Sequence, residues 1–140
     1  EGLDCTFETT LGGNTITSLL MQAAEQGIEV HVWYVGLSSP ELHIERVQAR
    51  VSWGGHDIPE HDIHRRYEHS RLNLIALLPR LTSLHVYDNS TDADPAAGRT
   101  PRLMPVLHMK RAKIIGPPDL AATPNWAKPI VAAALKLSQP

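Results

Sequence analysis

A ten-residue run at positions 28–37, IEVHVWYVGL, most constrains the fold of this chain. β-Branched and aromatic residues dominate the run, so it predicts a β-strand. Apolar side chains fill nearly every position after Glu29, as they do in parallel strands that helices cover on both faces. The run therefore predicts an α/β domain with a parallel sheet.

The segments on either side of this run support the same fold class. Strands are predicted at residues 5–11 (CTFETTL) and 83–90 (SLHVYDNS), with a late pair at 103–115. Helices are predicted at residues 14–26, after Pro40, over 60–81 and at 125–137. This order predicts a single α/β domain over residues 1–140, with its ligands at the carboxyl ends of the strands.

Composition excludes several classes of partner. A formal net charge of −2 over 140 residues gives no electrostatic footprint for nucleic acid. No apolar run reaches the roughly 18 residues of a membrane span, and the first ten residues lack the pattern of a signal peptide. The single Cys5 allows no internal disulfide. We therefore expect a cytoplasmic protein that binds neither nucleic acid nor membrane.

An arginine-rich segment joins two of the predicted helices through the turn Gly54–Gly55. It carries five arginines on the two sides of that turn, namely Arg46, Arg50, Arg65, Arg66 and Arg71. Guanidinium groups are planar forks of donors that suit phosphate oxygens, so the segment predicts a lid, at about residues 46–72, that closes over an anion. Spacing alone leaves an alternative open, in which neighbouring acids pair with these arginines on a solvated face.

Four histidines of the same region raise the question of a metal site: His56, His61, His64 and His69. Zinc ligands on a helix usually lie one turn apart on one face. His69 falls on a different face from His61, and no cysteine lies nearby. Solvated histidines are therefore the better interpretation, and we predict no metal ligands.

Longer motifs resemble those of the zeta toxin-like P-loop kinases. FETTLGG, GIEVHVWYVGL and VYDNS occur in the order of that family, together with RVQARVSWGGHDIPEHDIHRRY at residues 46–67. The resemblance covers nearly the whole chain and implies a P-loop kinase-like three-layer sandwich. It also implies an ATP-dependent phosphotransferase. Relatives with an assigned activity phosphorylate UDP-activated amino sugars, which blocks cell-wall synthesis, and belong to toxin–antitoxin systems.

The resemblance implies roles for individual residues as well. The lid residues expected to contact the phosphates of ATP are Arg46, Arg50, Arg65 and Arg66, and the last three are the expected catalytic residues. The residues expected to face a small-molecule hydroxyl acceptor are Glu8, Thr9 and Thr10. Asp88 and Asn89 are expected near the nucleotide base. ATP and Mg²⁺ are the implied cofactors.

One feature of the family is missing. Its Walker loop, first strand and catalytic-base aspartate precede the FETTL segment, and these 140 residues contain no G-x-x-x-x-G-K-[ST] pattern. We therefore expect the Walker A strand to be absent and the chain to be inactive alone. An alternative is a non-catalytic remnant that binds an antitoxin or a second copy of itself through an exposed sheet edge. A metal-dependent hydrolase is a third, weaker alternative.

Overall fold

Four α-helices and four strands make up the part of the chain that the computed structural model describes, residues 2–91, 98 and 102–140. The helices are α1 (Asn14–Glu25), α2 (Pro40–Ser52), α3 (Glu60–Leu77) and α4 (Lys128–Ser138). The strands are β1 (His31–Gly36), β2 (Ser83–Asp88), β3 (Met104–Lys110) and β4 (Lys113–Gly116). The α/β class is therefore confirmed, and short 3₁₀ turns precede β2 and α4.

The strands form one mixed sheet in the order β1-β2-β3-β4. β1 and β2 are parallel, whereas β2–β3 and β3–β4 are antiparallel. The prediction of a parallel sheet is thus right only for the first two strands, because β3 and β4 form a hairpin. Its turn residues Arg111 and Ala112 have φ angles of 46° and 63°, which is the backbone of a tight hairpin turn. The parallel pair brings the carboxyl ends of β1 and β2 to one edge.

The hydrophobic core lies between one face of the sheet and the helices. Its largest fully buried side chains are Ile63, Leu74, Leu77, Leu84, Ile130 and Val86. Burying a side chain of this size contributes about 1.5–3 kcal/mol, so α3 and α4 are held firmly against the strands. In the described segments, no helix combines the length and the apolar character needed to cross a membrane.

The opposite face of the sheet is open to solvent over the residues described here. Trp33 and Val35 of β1 are 63% and 51% exposed. The rings of Trp33 and His85 stack with centroids 5.5 Å apart, and those of His85 and His108 with centroids 4.0 Å apart. The described residues therefore form two layers rather than the expected three. The apolar pattern of β1 also does not mean burial on both faces, since one face packs and the other stays exposed.

The strand predicted at residues 5–11 is not formed. No strand pairs with residues 2–11 within the described structure, and the side chains from 2 to 10 are exposed. β-Prone residues do not make a strand without a neighbour for their backbone hydrogen bonds. Instead, the Asn73 side chain donates to the carbonyls of Leu11 (2.8 Å) and Gly13 (3.2 Å), which holds this segment against α3.

Candidate functional site

Two loops meet at the carboxyl ends of β1 and β2. The backbone N–H of Asn89 donates to the carbonyl of Gly36 at 2.9 Å, and that of Ser38 donates to the hydroxyl of Ser90 at 2.8 Å. Ser39 caps α2, because its side chain accepts a hydrogen bond from the backbone N–H of Leu42 at 3.1 Å. These bonds fix the direction in which α2 leaves the sheet.

Two tyrosines anchor α3, Tyr67 to the loop after β1 and Tyr34 to β1 itself. The hydroxyl of Tyr67 donates to the carbonyls of Leu37 and Ser38, each at 3.1 Å. The hydroxyls of Tyr34 and Ser70 lie 2.9 Å apart. Burial raises the pKa of both tyrosines, so both stay neutral at physiological pH. The first half of α3 is therefore held beside the strand ends.

Three basic side chains follow one face of α2. His43, Arg46 and Arg50 are spaced by three and four residues, which places them on successive turns of one face. The guanidinium of Arg46 donates to the carbonyl of Thr91 at 3.3 Å, so it reaches the loop after β2. Arg50 lies against the turn that follows α2, where a Cβ on Gly55 would lie 2.7 Å from its Cγ. One end of this row thus faces the strand ends and the other faces the hinge.

Arg66 of α3 completes a cluster with this row. Burial lowers the pKa of His43, and the charges of Arg46, Arg50 and Arg66 lower it further. Arg66 lies on α3, the helix against which α2 packs. Among the described residues, no carboxylate oxygen lies within 4.0 Å of the guanidinium groups of Arg46, Arg50 and Arg66. We call Arg46, Arg50 and Arg66 the arginine cluster; positive charge without a carboxylate partner among these described residues favours an anion.

Arg65, the fourth predicted lid arginine, has a different environment. Its guanidinium pairs with the carboxylate of Asp62 at 2.8 Å, and its side chain is 59% exposed. An exposed pair of this kind contributes little to stability. Among the described residues, the structure therefore shows the alternative of an ion-paired, solvated face for Arg65, and it shows no such pair for Arg46, Arg50 or Arg66.

The predicted acceptor-binding residues lie on the segment before α1. The hydroxyl of Thr9 accepts a hydrogen bond from the backbone N–H of Leu11 at 3.1 Å and so stabilises a turn. Glu8 and Thr10 are exposed. Gly12 packs against α3, since a Cβ there would lie 2.9 Å from Cγ of Arg66. The segment thus lies beside one member of the arginine cluster.

Asp88 and Asn89, predicted near the nucleotide base, end β2. The carboxylate of Asp88 accepts hydrogen bonds from the backbone N–H of Ser90, at 2.7 Å, and from the hydroxyl of Ser90. Ser90 in turn accepts from Ser38, so Asp88 fixes the loops at the strand ends. In the structure, both Asp88 and Asn89 therefore make hydrogen bonds that hold the loops at the strand ends.

The histidines of residues 56–69 do not gather into a metal site. His61 lies 3.6 Å from Asp62 with its side chain 80% exposed, and His56, His64 and His69 are exposed as well. Across the described ranges, no group of three or more His, Cys, Asp or Glu side chains is arranged to hold a metal ion.

Sequence reasoning missed His43. The signal was present, because His43 precedes Arg46 by three residues and Arg50 by seven on the same helix. The role of Tyr67 was missed too, because its bonds to the loop after β1 span about thirty residues of sequence. No short motif predicts a contact of that range.

Comparison with known proteins shows a similarity over part of the chain. No protein-family model matches the sequence, and no solved structure matches it. A protein of Haemophilus influenzae, described as an uncharacterized protein, is 42% identical over 61 residues, which is 44% of this chain and 44% of that protein. The chain thus aligns with less than half of the length of this relative.

Proposed function

We propose that the arginine cluster binds the phosphates of ATP as the lid of an ATP-dependent phosphotransferase resembling the zeta toxin-like kinases. The observation that carries the proposal is that Arg46 and Arg50 lie on one face of α2 and Arg66 lies on the neighbouring helix α3, with no carboxylate oxygen within 4.0 Å of any of the three among the described residues. Like charges held together repel one another, and a bound polyphosphate removes that repulsion. Guanidinium groups also stabilise the charge on a transferring phosphoryl group.

The acceptor in this proposal is a hydroxyl of a small molecule, and a UDP-activated amino sugar is the class that the resemblance suggests. The exposed Glu8 and Thr10, on the segment that packs against Arg66, support an acceptor beside the phosphates. Mg²⁺ accompanies ATP, because it neutralises the charge between the β- and γ-phosphates during transfer. We propose a cytoplasmic location, where ATP is available.

Substitution of the arginine cluster tests this proposal. Isothermal titration of the chain with ATP and Mg²⁺ at low ionic strength should show binding that each of Arg46→Ala, Arg50→Ala and Arg66→Ala weakens about tenfold or more, as expected for a lost charge-assisted hydrogen bond. Arg80→Ala is the matched control, because Arg80 precedes β2 at the opposite end of the sheet. ATP binding that is absent, or that responds equally to all four substitutions, would contradict the proposal.

A second candidate function is binding of a protein partner, either an antitoxin or a second copy of this chain. The observation that favours it is the open sheet face, where Trp33 is 63% exposed on an edge strand. Exposed aromatic residues of this kind are enriched in protein interfaces. This function is compatible with the first, since the open face and the arginine cluster are different surfaces.

A further inference from the structure

We propose that an apolar groove between α2 and the start of α3 binds a small organic cation, with the apolar body of the ligand in the groove and its ammonium group at two carboxylates on the rim. The groove has a volume of about 270 Å³. Helical spacing places its lining residues on a different face of α2 from Arg46 and Arg50. Binding of a cation here is therefore independent of the proposed phosphate site.

The groove has an apolar lining that extends from the core to the surface. Its apolar residues are Ile44, Val47, Val51, Ile58, Pro59 and Ile63. Val47 and Ile63 are buried, at 4% and 2% exposure, whereas Val51 is 36% exposed. Apolar surface left open in a concave site favours an apolar ligand, because the ligand removes that surface from water.

Backbone hydrogen bonds on both sides of the groove fix its shape. The N–H of Gly54 donates to the carbonyl of Val51 at 2.9 Å, where α2 ends. The N–H of Ile63 donates to the carbonyl of Pro59 at 3.2 Å, where α3 begins. The groove is therefore preformed, which reduces the entropic cost of binding a ligand.

Two carboxylates give the groove its charge preference. Asp57 and Glu60 belong to its lining, and both are exposed. Over the described residues, no nitrogen of a Lys, Arg or His side chain lies within 4.0 Å of either carboxylate, whereas Asp62 on the next turn of α3 pairs with Arg65. Two negative charges without a partner at the mouth of an apolar site favour a ligand that combines a cation with an apolar body.

The positive charge closest in sequence to this turn is directed elsewhere. The guanidinium of Arg50 donates to the carbonyl of His56 at 3.5 Å. The carboxylate of Asp57 accepts a hydrogen bond from the backbone N–H of Ile58 at 2.9 Å, which fixes the carboxylate at the turn. The rim therefore keeps its negative charge.

The volume of the groove indicates a small molecule rather than a protein segment. One water occupies about 30 Å³ in the liquid, so the groove holds the volume of about nine waters. A specific protein interface buries roughly 800 Å² on each partner, which is more surface than a groove of this size offers.

A titration with three probes of equal chain length tests the charge preference. The probes are hexylammonium, hexanol and hexanoate, and binding is followed through the methyl resonances of Val47, Val51 and Ile63 in NMR spectra. We expect hexylammonium to bind about threefold or more tightly than hexanol, because exposed ion pairs contribute modestly, and hexanoate to bind more weakly than hexanol. Equal affinities for the three probes, or no shifts of these methyl groups with any of them, would overturn the inference.

Substitution of the rim carboxylates tests the same preference from the side of the protein. Glu60→Gln and Asp57→Asn should each weaken hexylammonium binding and leave hexanol binding unchanged. Glu45→Gln is the matched control, because Glu45 is exposed on α2 and does not line the groove. Should Asp57→Asn fail to fold, Glu60→Gln decides alone. Unchanged hexylammonium affinity in Glu60→Gln, or an equal loss in Glu45→Gln, would overturn the role of the rim.

An amphipathic peptide of leucine and lysine distinguishes a protein partner from a small molecule. If the peptide shifts the same methyl groups at lower concentrations than hexylammonium does, the groove is a protein-binding site and the inference is wrong. Weaker binding of the peptide than of hexylammonium supports the small organic cation.

Discussion

Gly36 ends β1 directly beneath the indole of Trp126, and a Cβ at this position would overlap that ring. Trp126 is 4% exposed and belongs to the hydrophobic core, so it has little room to move. Gly36→Ala should therefore destabilise the fold by about 1–3 kcal/mol, the usual cost of overpacking a core. Urea unfolding measures this cost.

Gly2→Ala is the control for that experiment. Gly2 is exposed, and nothing lies within 4 Å of the Cβ that alanine would add. We expect Gly2→Ala to leave the free energy of unfolding within about 0.5 kcal/mol of wild type. Equal losses from the two substitutions would show that the contact with Trp126 does not limit packing at Gly36.

At the same scale, the sequence predicts some site residues better than others. Helical spacing was enough to place Arg46 and Arg50 on one face of α2. It could not distinguish Arg65 from Arg66, because two adjacent residues differ by only about 100° around the helix. The difference comes from Asp62, three residues before Arg65, which pairs with Arg65, whereas no carboxylate oxygen of the described residues lies within 4.0 Å of Arg66.

The helices and strands were predictable where local sequence signals were complete. Ser39 and Pro40 together marked the start of α2, and the structure begins this helix at Pro40. The prediction of a strand at residues 5–11 was wrong because a strand depends on a pairing strand, which local sequence does not supply. The prediction that β1 is buried on both faces was wrong for a related reason. An apolar residue does not reveal whether a second layer covers it.

The open face of β1 gives a prediction for the sheet as an element. The row of stacked rings that begins at Trp33 has no cover in the described part of the chain. If this face binds a second copy, light scattering at increasing protein concentration should show dimers. Trp33→Glu should dissociate them, because a charge buried in the interface without a partner is costly. Leu72→Glu is the control, since Leu72 is 61% exposed on α3.

A monomer at all concentrations would exclude self-association and leave only a different protein as the partner of this face. Dimers that resist Trp33→Glu, or that Leu72→Glu disperses equally, would place the interface elsewhere. Neither result bears on the arginine cluster, which makes this test independent of ATP binding.

At the scale of the whole molecule, a packed core supports a polar edge at the carboxyl ends of β1 and β2. One face of the sheet packs on α3 and α4. Because α2 packs on α3, this core supports both α2 and α3, the helices that carry the arginine cluster. The parallel pair β1–β2 could be predicted from sequence, whereas a site at its carboxyl ends stays a prediction. The antiparallel half of the sheet could not be predicted, because the pairing of β2 with β3 depends on long-range contacts.

The central claim is that Arg46, Arg50 and Arg66 bind phosphate together. The most direct test is a titration of the chain with ATP, followed through the Nε–Hε resonances of the arginine side chains in NMR spectra. We expect shifts at these three residues at one common dissociation constant, with Arg80 and Arg111 unchanged. Shifts confined to other arginines, or spread evenly over all of them, would contradict it.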